Sequence, residues 1–347
     1  MKKRLFYLDF VRTIATISIL LTHYNARFLE YYMHPAMPDR AIITLFPFNI
    51  YIGAFGVALF FIISGAALMY TYQSQCSLKD FYSKRFLSIY PMFWIGYILV
   101  FLYYFYASKH LPYLSVPKPY FLVTLLGMDG YLSGILPSYY LIGEWFLGCI
   151  ILIYLMFPLL RKLALSHPYL LCIGALLLYL PFTFWIQVPN FLSSKLLMVR
   201  LPEIIFGMIF VLKIKRVRFW MVIPSVLILI VNTIFKPTFP ESFQTTYIGI
   251  SCFLILTYVS AWFDRPFFRS VCSIISKYSY AIFLTHHVII DELANRFPMT
   301  ELVRSERYML FFLCCFITAI ASWILYHLNR KLLIAIRKIR SGGEKIA

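Results

Sequence analysis

Few side chains that titrate or carry charge stand inside the long apolar runs of this sequence. Among them are Arg12 and His23, Glu144, Arg200 and Glu203, His286 and His287, and His327. An ionisable group in a lipid core is costly, so each is a candidate for chemistry unless packing accounts for it. Eleven helical steps separate Arg12 from His23. At ~100° per residue that is three turns plus ~20°, which puts both on one helix face about 16 Å apart along the axis. An imidazole can take a proton from a hydroxyl near neutral pH, and a guanidinium can hold a phosphate. The same two residues also suit a snorkelling arginine and a histidine that bonds a neighbouring helix.

Glu144, in Gly143-Glu144-Trp145-Phe146-Leu147, is expected at a depth near that of His23, where a carboxylate can orient an imidazole base. It also fits an interfacial position above an aromatic belt. Arg200 and Glu203 are three apart around Pro202 and can pair on one face. They form either a structural ion pair or a polar lining for an acceptor. His286 and His287 point about 100° apart, so one of them is expected to face the bundle interior. Lys84 and Arg85 lead into Ile89-Tyr90-Pro91, where they can hold phosphates or anchor a helix end.

The elements that must position these residues follow from composition. The chain has 347 residues, of which 61% are hydrophobic and 13% charged, with 27 Tyr and 34 Phe. A soluble domain carries about 25% charged residues. This balance excludes an ordinary soluble enzyme, a secreted disulfide scaffold and a disordered chain. An all-α polytopic membrane protein remains. Ten apolar runs suit spans: about 8–29, 48–72, 89–107, 139–160, 168–187, 196–212, 219–235, 246–263, 278–296 and 308–329. The first run is expected to stay as a helix rather than be cleaved as a signal peptide. The apolar piece 119–127 is too short to span and reads as interfacial or re-entrant.

The net charge of +18 is a matter of topology rather than of nucleic-acid binding. Lys2 and Lys3, Lys84 and Arg85, Lys213 to Arg218, and Arg330 to Lys338 all fall on one side of a ten-span layout, which puts both termini in the cytoplasm. Residues 1–335 are expected to form the transmembrane domain and 336–347 a basic cytoplasmic tail. The seven cysteines include no C-x-x-C pair, so neither a metal site nor a disulfide framework is expected.

Taken in order, several segments form a pattern. Arg12 and His23 follow Leu8-Asp9-Phe10-Val11. Next come Phe60-Phe61-Ile62-Ile63-Ser64-Gly65, then Phe81 through Pro91, then Trp145-Phe146-Leu147 with Tyr154-Leu155-Met156-Phe157-Pro158. Arg200-Leu201-Pro202-Glu203 and Ser279 through His286 complete the series. This series resembles the acyltransferase 3 family, membrane acyltransferases of bacteria that decorate surface glycans. Ser88, Ile150 and Ile151 stand where many members carry charged residues.

The resemblance implies a ten-helix membrane enzyme in the inner membrane of a bacterium. It implies an acyl-CoA donor, usually acetyl-CoA, with no bound cofactor. The acceptor it implies is a hydroxyl of a capsule, an exopolysaccharide or a lipid-linked oligosaccharide. It points to His23 as the base, Arg12 as its partner, and Lys84 with Arg85 as further phosphate contacts. Arg200, Glu203 and His286 are then candidates for the acceptor side. A transporter or flippase of a lipid-linked saccharide is the runner-up. A metal-dependent glycosyltransferase is disfavoured, because the first outer loop offers only Glu30 and Asp39 as carboxylates.

Overall fold

The computed structural model of the chain describes residues 4–29 and 35–343. Lys2, Lys3, Glu30 and the last four residues of the expected tail lie outside the described residues. Within them the chain is helical, with one isolated β-bridge, Val188 to Phe191, and no strand. The helices run α1 Phe6–Ala26, α2 Ile52–Tyr72, α3 Leu78–Ser108, α4 Phe121–Leu125, α5 Asp129–Leu132 and α6 Glu144–Ser166. They continue as α7 Pro168–Phe184, α8 Leu197–Ile209, α9 Phe219–Phe235, α10 Glu241–Ser260, α11 Pro266–Ala294 and α12 Arg304–Gly343.

Each of the ten expected apolar runs holds one of these helices. Among the described residues, five helical stretches are long and apolar enough to cross a membrane on their own: α2, α3, α6, α10 and Arg304–Ile339 of α12. The chain is thus an all-helical, multi-pass membrane protein. Segment 119–127 falls on a 3₁₀ turn, Lys118–Tyr120, and the short α4. The boundary expected at residue 335 falls inside α12.

The chain divides into two compact units. The first comprises Met1–Cys76, Leu155–Ser279 and Phe297–Tyr308; the second comprises Ser77–Tyr154, Tyr280–Arg296 and Met309–Ala347. In the first unit α2 is the core helix. Its sequence, Phe60-Phe61-Ile62-Ile63-Ser64-Gly65-Ala66, is apolar on all sides, and such a helix is stable only when surrounded. Val11 and Ala15 of α1, Leu59, Ile62 and Ala66 of α2, and Phe253 of α10 share one buried cluster.

Small residues set how closely α2 and α8 approach. A Cβ on Gly65 would lie 2.1 Å from the Ile204 carbonyl oxygen, and one on Gly207 would lie 2.0 Å from that of Ile62. The two backbones therefore touch, each through the other's glycine. Lipid gives no hydrophobic drive for helix association, so close backbone packing of this kind supplies it instead. Beyond α8 the chain widens into a π turn, Phe210–Ile214.

In the second unit Phe81, Met92 and Phe93 of α3 are buried, as are Ile142 and Leu147 beside the start of α6, and Phe93 and Leu147 both pack against Gly143. Gly96 of α3 lets Ile142 and Leu325 pack against it. The hydroxyls of Tyr97 and Tyr113 donate to the carbonyls of Tyr139 and Tyr140, tying down the loop that leads into α6.

Candidate functional site

In the first unit α1 runs unbroken from Phe6 to Ala26, so Arg12 and His23 do share a face. Both are half-buried. The hydroxyls along this helix bond back to its own turns. Thr13, Thr16, Ser18 and Thr22 donate to the carbonyls of Asp9, Arg12, Ile14 and Ser18. This satisfies them without a partner helix. Arg12 Nη1 donates to Ser276 Oγ at 3.0 Å, a buried hydroxyl on α11. The contact fixes one end of the guanidinium fork. Asp9, one turn earlier, is buried and pairs with Arg4, whose Nη2 donates to Oδ1 at 3.0 Å. Neither Ser276 nor Asp9 stands out in the sequence as a polar partner, because nothing in a linear pattern joins residues 12 and 276.

Arg200 and Glu203 also belong to this unit, on α8. Nη1 of Arg200 donates to Oε1 of Glu203 at 3.0 Å, and the two side chains are 2% and 0% exposed. Arg200 Nε donates to the Ser194 carbonyl at 2.7 Å, and its guanidinium lies 5.7 Å from the centroid of the Phe61 ring. The arginine thus has a carboxylate, a carbonyl and a π face, as a charge in a dry site requires.

In the second unit, the loop before α6 places Glu144. Gly143 stands at φ +91°, a conformation that L side chains rarely adopt, and turns the chain into the helix. A Cβ on Gly130 would meet the Glu144 backbone at 2.5 Å, so α5 packs directly on the helix start. Glu144 is the first residue of α6, where the helix dipole favours a carboxylate. Its Oε1 lies 3.3 Å from His287 Nδ1, and His287 Nε2 lies 3.2 Å from Asp291 Oδ2. A ring with a carboxylate at each nitrogen donates to both only when both nitrogens carry protons. His287, Glu144 and Asp291 are 25%, 19% and 21% exposed, so the chain of three opens toward solvent.

The two adjacent histidines divide as their 100° offset requires. His286 is fully buried, and its Nδ1 bonds the Ile282 and Phe283 carbonyls of its own helix. The contact with carboxylates falls to His287. The spacing of His287 and Asp291, four residues on one helix, was the available signal for that pair.

Lys84 and Arg85 lie on α3, which Ser77 caps by accepting from the Asp80 amide. Lys84 is exposed. The Arg85 guanidinium sits 5.5 Å from the Tyr154 ring centroid and 6.0 Å from that of Phe81. The structure thus gives the two cations different surroundings, one in solvent and one on aromatic faces.

A further carboxylate of this unit escaped the sequence reading. Asp129 of α5 is 1% exposed and accepts from Thr124 Oγ1 at 3.0 Å, while its Oδ2 has no hydrogen-bond partner among the described residues. Burial pushes its carboxyl up to about 6.

Long apolar helices with imidazole, guanidinium and carboxylate groups held partly open within them define a multi-pass membrane protein equipped for proton and charge chemistry. The chain belongs to the acyltransferase 3 family: the sequence profile of that family's acyltransferase domain matches residues 5–327. It is therefore a membrane acyltransferase. No curated protein matches the chain.

Proposed function

We propose that the protein moves an acyl group, acetyl in the first instance, from acyl-CoA to a hydroxyl of a cell-surface or lipid-linked glycan. In this reading it lies in the inner membrane of a bacterium, crosses ten times and keeps both termini in the cytoplasm. The observation that carries the reading is the Arg12–His23 stripe on one unbroken helix, within the segment that matches the family.

A sugar hydroxyl is a weak nucleophile and needs a base in the transition state. His23 takes the hydroxyl proton as the oxygen attacks the thioester carbonyl. The carbon–sulfur bond then breaks and the proton passes to the departing CoA thiolate. Arg12 holds a CoA phosphate toward the start of α1, about 16 Å from His23 along the axis, and the pantetheine arm follows the stripe inward. Lys84 and Arg85 are assigned further phosphate contacts. Glu144 is assigned the carboxylate's part, orienting the imidazole base and steadying its charge, although the imidazole it pairs with in its own unit is that of His287. Arg200, Glu203 and His286 are assigned to the acceptor side as buried groups that hold the helices around it in place, without touching the acceptor themselves. No resident cofactor is needed.

Purified protein incubated with labelled acetyl-CoA and candidate glycans tests the reading. Base-labile label on a glycan, with stoichiometric CoA release, is the expected result. No consumption of any acyl-CoA with any glycan overturns it.

A further inference from the structure

Where α1 begins, the first unit holds a cavity of about 630 Å³. Four cations line it, Arg4, Lys215, Arg216 and Arg269, against a single carboxylate, Asp264. Two of the four are committed. Arg4 holds Asp9, and Arg269 holds both carboxylate oxygens of Asp264 along its Nε–Nη2 edge, with Nη2 to Oδ2 at 2.8 Å. No hydrogen bond or ion pair engages the side chains of Lys215 and Arg216 among the described residues.

The backbone at these two residues is unusual. Lys215 has φ +61° and ψ −34°, and the Arg216 amide donates to the Ile214 carbonyl at 2.7 Å. That is a γ-turn of the rare, strained hand. The turn directly follows the π turn Phe210–Ile214, and the Lys215 amide donates to the Phe210 carbonyl at 2.7 Å. The helix end is thus bent out of regular geometry at the place where two cations join the cavity wall. Thr257, also in the lining, has a buried Oγ1 with no hydrogen-bond partner among the described residues.

Apart from Ser260, the rest of the lining is apolar or aromatic and includes Leu5, Tyr7, Tyr258 and Trp262. Large rings near the cavity residues in sequence, namely Phe219, Trp220 and Phe267, are exposed, as is Trp262 itself. Of these, the amphipathic rings Trp220 and Trp262 are of the kind that settles at the level of lipid headgroups. A cavity with apolar walls, uncommitted cations and a belt of exposed rings suits an amphiphile whose anionic group is a phosphate.

We infer that this cavity binds the phosphate headgroup of an anionic phospholipid, with Lys215 and Arg216 as the cations that hold it. The phosphate draws on charge-assisted hydrogen bonds from both. Thr257 offers a hydroxyl donor, and the lipid's glycerol and upper acyl chain lie along the rings. Basic pockets between membrane helices take such headgroups on general electrostatic grounds. The inference does not depend on which acyl donor or acceptor the enzyme uses.

The test uses the full-length protein in phosphatidylcholine nanodiscs with or without phosphatidylglycerol, with retained lipid read by native mass spectrometry. Wild type is expected to keep phosphatidylglycerol on release. The double variant Lys215→Gln/Arg216→Gln should bind it about 30-fold more weakly, and each single variant about fivefold. Arg218→Gln, which removes a nearby exposed cation that does not line the cavity, should leave retention unchanged. The unfolding midpoint in phosphatidylcholine alone checks that the variants fold. If the double variant unfolds early there, the single variants decide. Equal retention by wild type and variants overturns the inference. So does displacement of the lipid by adenosine 3′,5′-bisphosphate, since a nucleotide would then be the occupant.

Discussion

Two groups of paired ionisable side chains, Arg200–Glu203 in the first unit and Glu144–His287–Asp291 in the second, differ in how far water reaches them. Arg200 and Glu203 are sealed at 2% and 0% exposure, with the guanidinium also bound to a carbonyl and a ring. Glu144, His287 and Asp291 are similarly spaced but stay about a fifth to a quarter exposed. A sealed pair cannot exchange protons with a substrate without first being opened, so its energy goes into holding one arrangement of helices. A half-open chain of carboxylate, imidazole and carboxylate keeps its polar atoms within reach of water and of a ligand. In a membrane protein, then, the presence of an ionisable residue separates less than its access does.

The comparison breaks most sharply at Arg200. Arg200→Met leaves Glu203 as an unpaired buried carboxylate, and the expected loss of stability is ~3–5 kcal/mol. Arg200→Met/Glu203→Leu should recover most of it, because an apolar pair of similar volume often replaces a buried ion pair at little cost. Thermal unfolding in detergent reads both variants. A single variant as stable as wild type would deny the pair its structural role.

A similar size of effect, on rate instead of stability, is expected on α1. His23→Ala should lower turnover by ~10²–10⁴ while leaving acyl-CoA binding and the unfolding midpoint nearly unchanged. Arg12→Ala should act on binding, weakening CoA by ~1.5–3 kcal/mol, with Arg12→Lys a partial rescue because a point charge replaces a planar fork. Calorimetric titration with CoA separates the two. A reversed pattern, with CoA binding lost in the His23 variant and spared in the Arg12 variant, would exchange their roles.

Glu144→Gln sharpens the comparison from the other side. A partly exposed ion pair contributes ~0–1 kcal/mol, so the unfolding midpoint should hardly move. The turnover rate should fall if the carboxylate tunes an imidazole. Loss of stability comparable to that of the Arg200 variant would place the Glu144 chain in the structural class.

The smallest expected effect concerns Asp129. A carboxyl has an ordinary pKa of ~3.9, and burial raises this one to about 6. The folded protein therefore holds the proton more tightly than the unfolded chain does. The stability this contributes is complete below about pH 4 and is lost as pH rises through about 6. Asp129→Asn should flatten that part of the stability–pH curve and unfold later than wild type at pH 7. Parallel slopes for the two proteins would show that Asp129 does not titrate there.

Much of the fold was legible because an apolar run of span length in this composition has little choice but to be a helix, and each of the ten runs holds one. The ends were not legible. Hydropathy marks the stretch that lipid would accept, whereas backbone hydrogen bonding continues past it. Thus α11 begins at Pro266 rather than near 278, and α10 begins at Glu241 rather than near 246. The shared face of Arg12 and His23 was legible because it depends only on helical repeat. The choice between His286 and His287 was not, since periodicity fixes the angle between two neighbours but not which of them faces the packed side. Asp129 was hidden for a related reason: it lies beside Gly127 and Gly130 in a loop, where no period indicates burial.

The glycine contact between α2 and α8 has a consequence for how the chain is made. Gly65 emerges from the ribosome well before Gly207, and the joint they form cannot close until the later helix is in the membrane. Until then the core helix exposes a notch shaped for a partner that does not yet exist. Assembly of the first unit must therefore finish late and over a long sequence separation, which is slow by its topology. A mutation at either glycine would be felt first as a half-built protein waiting for its eighth helix.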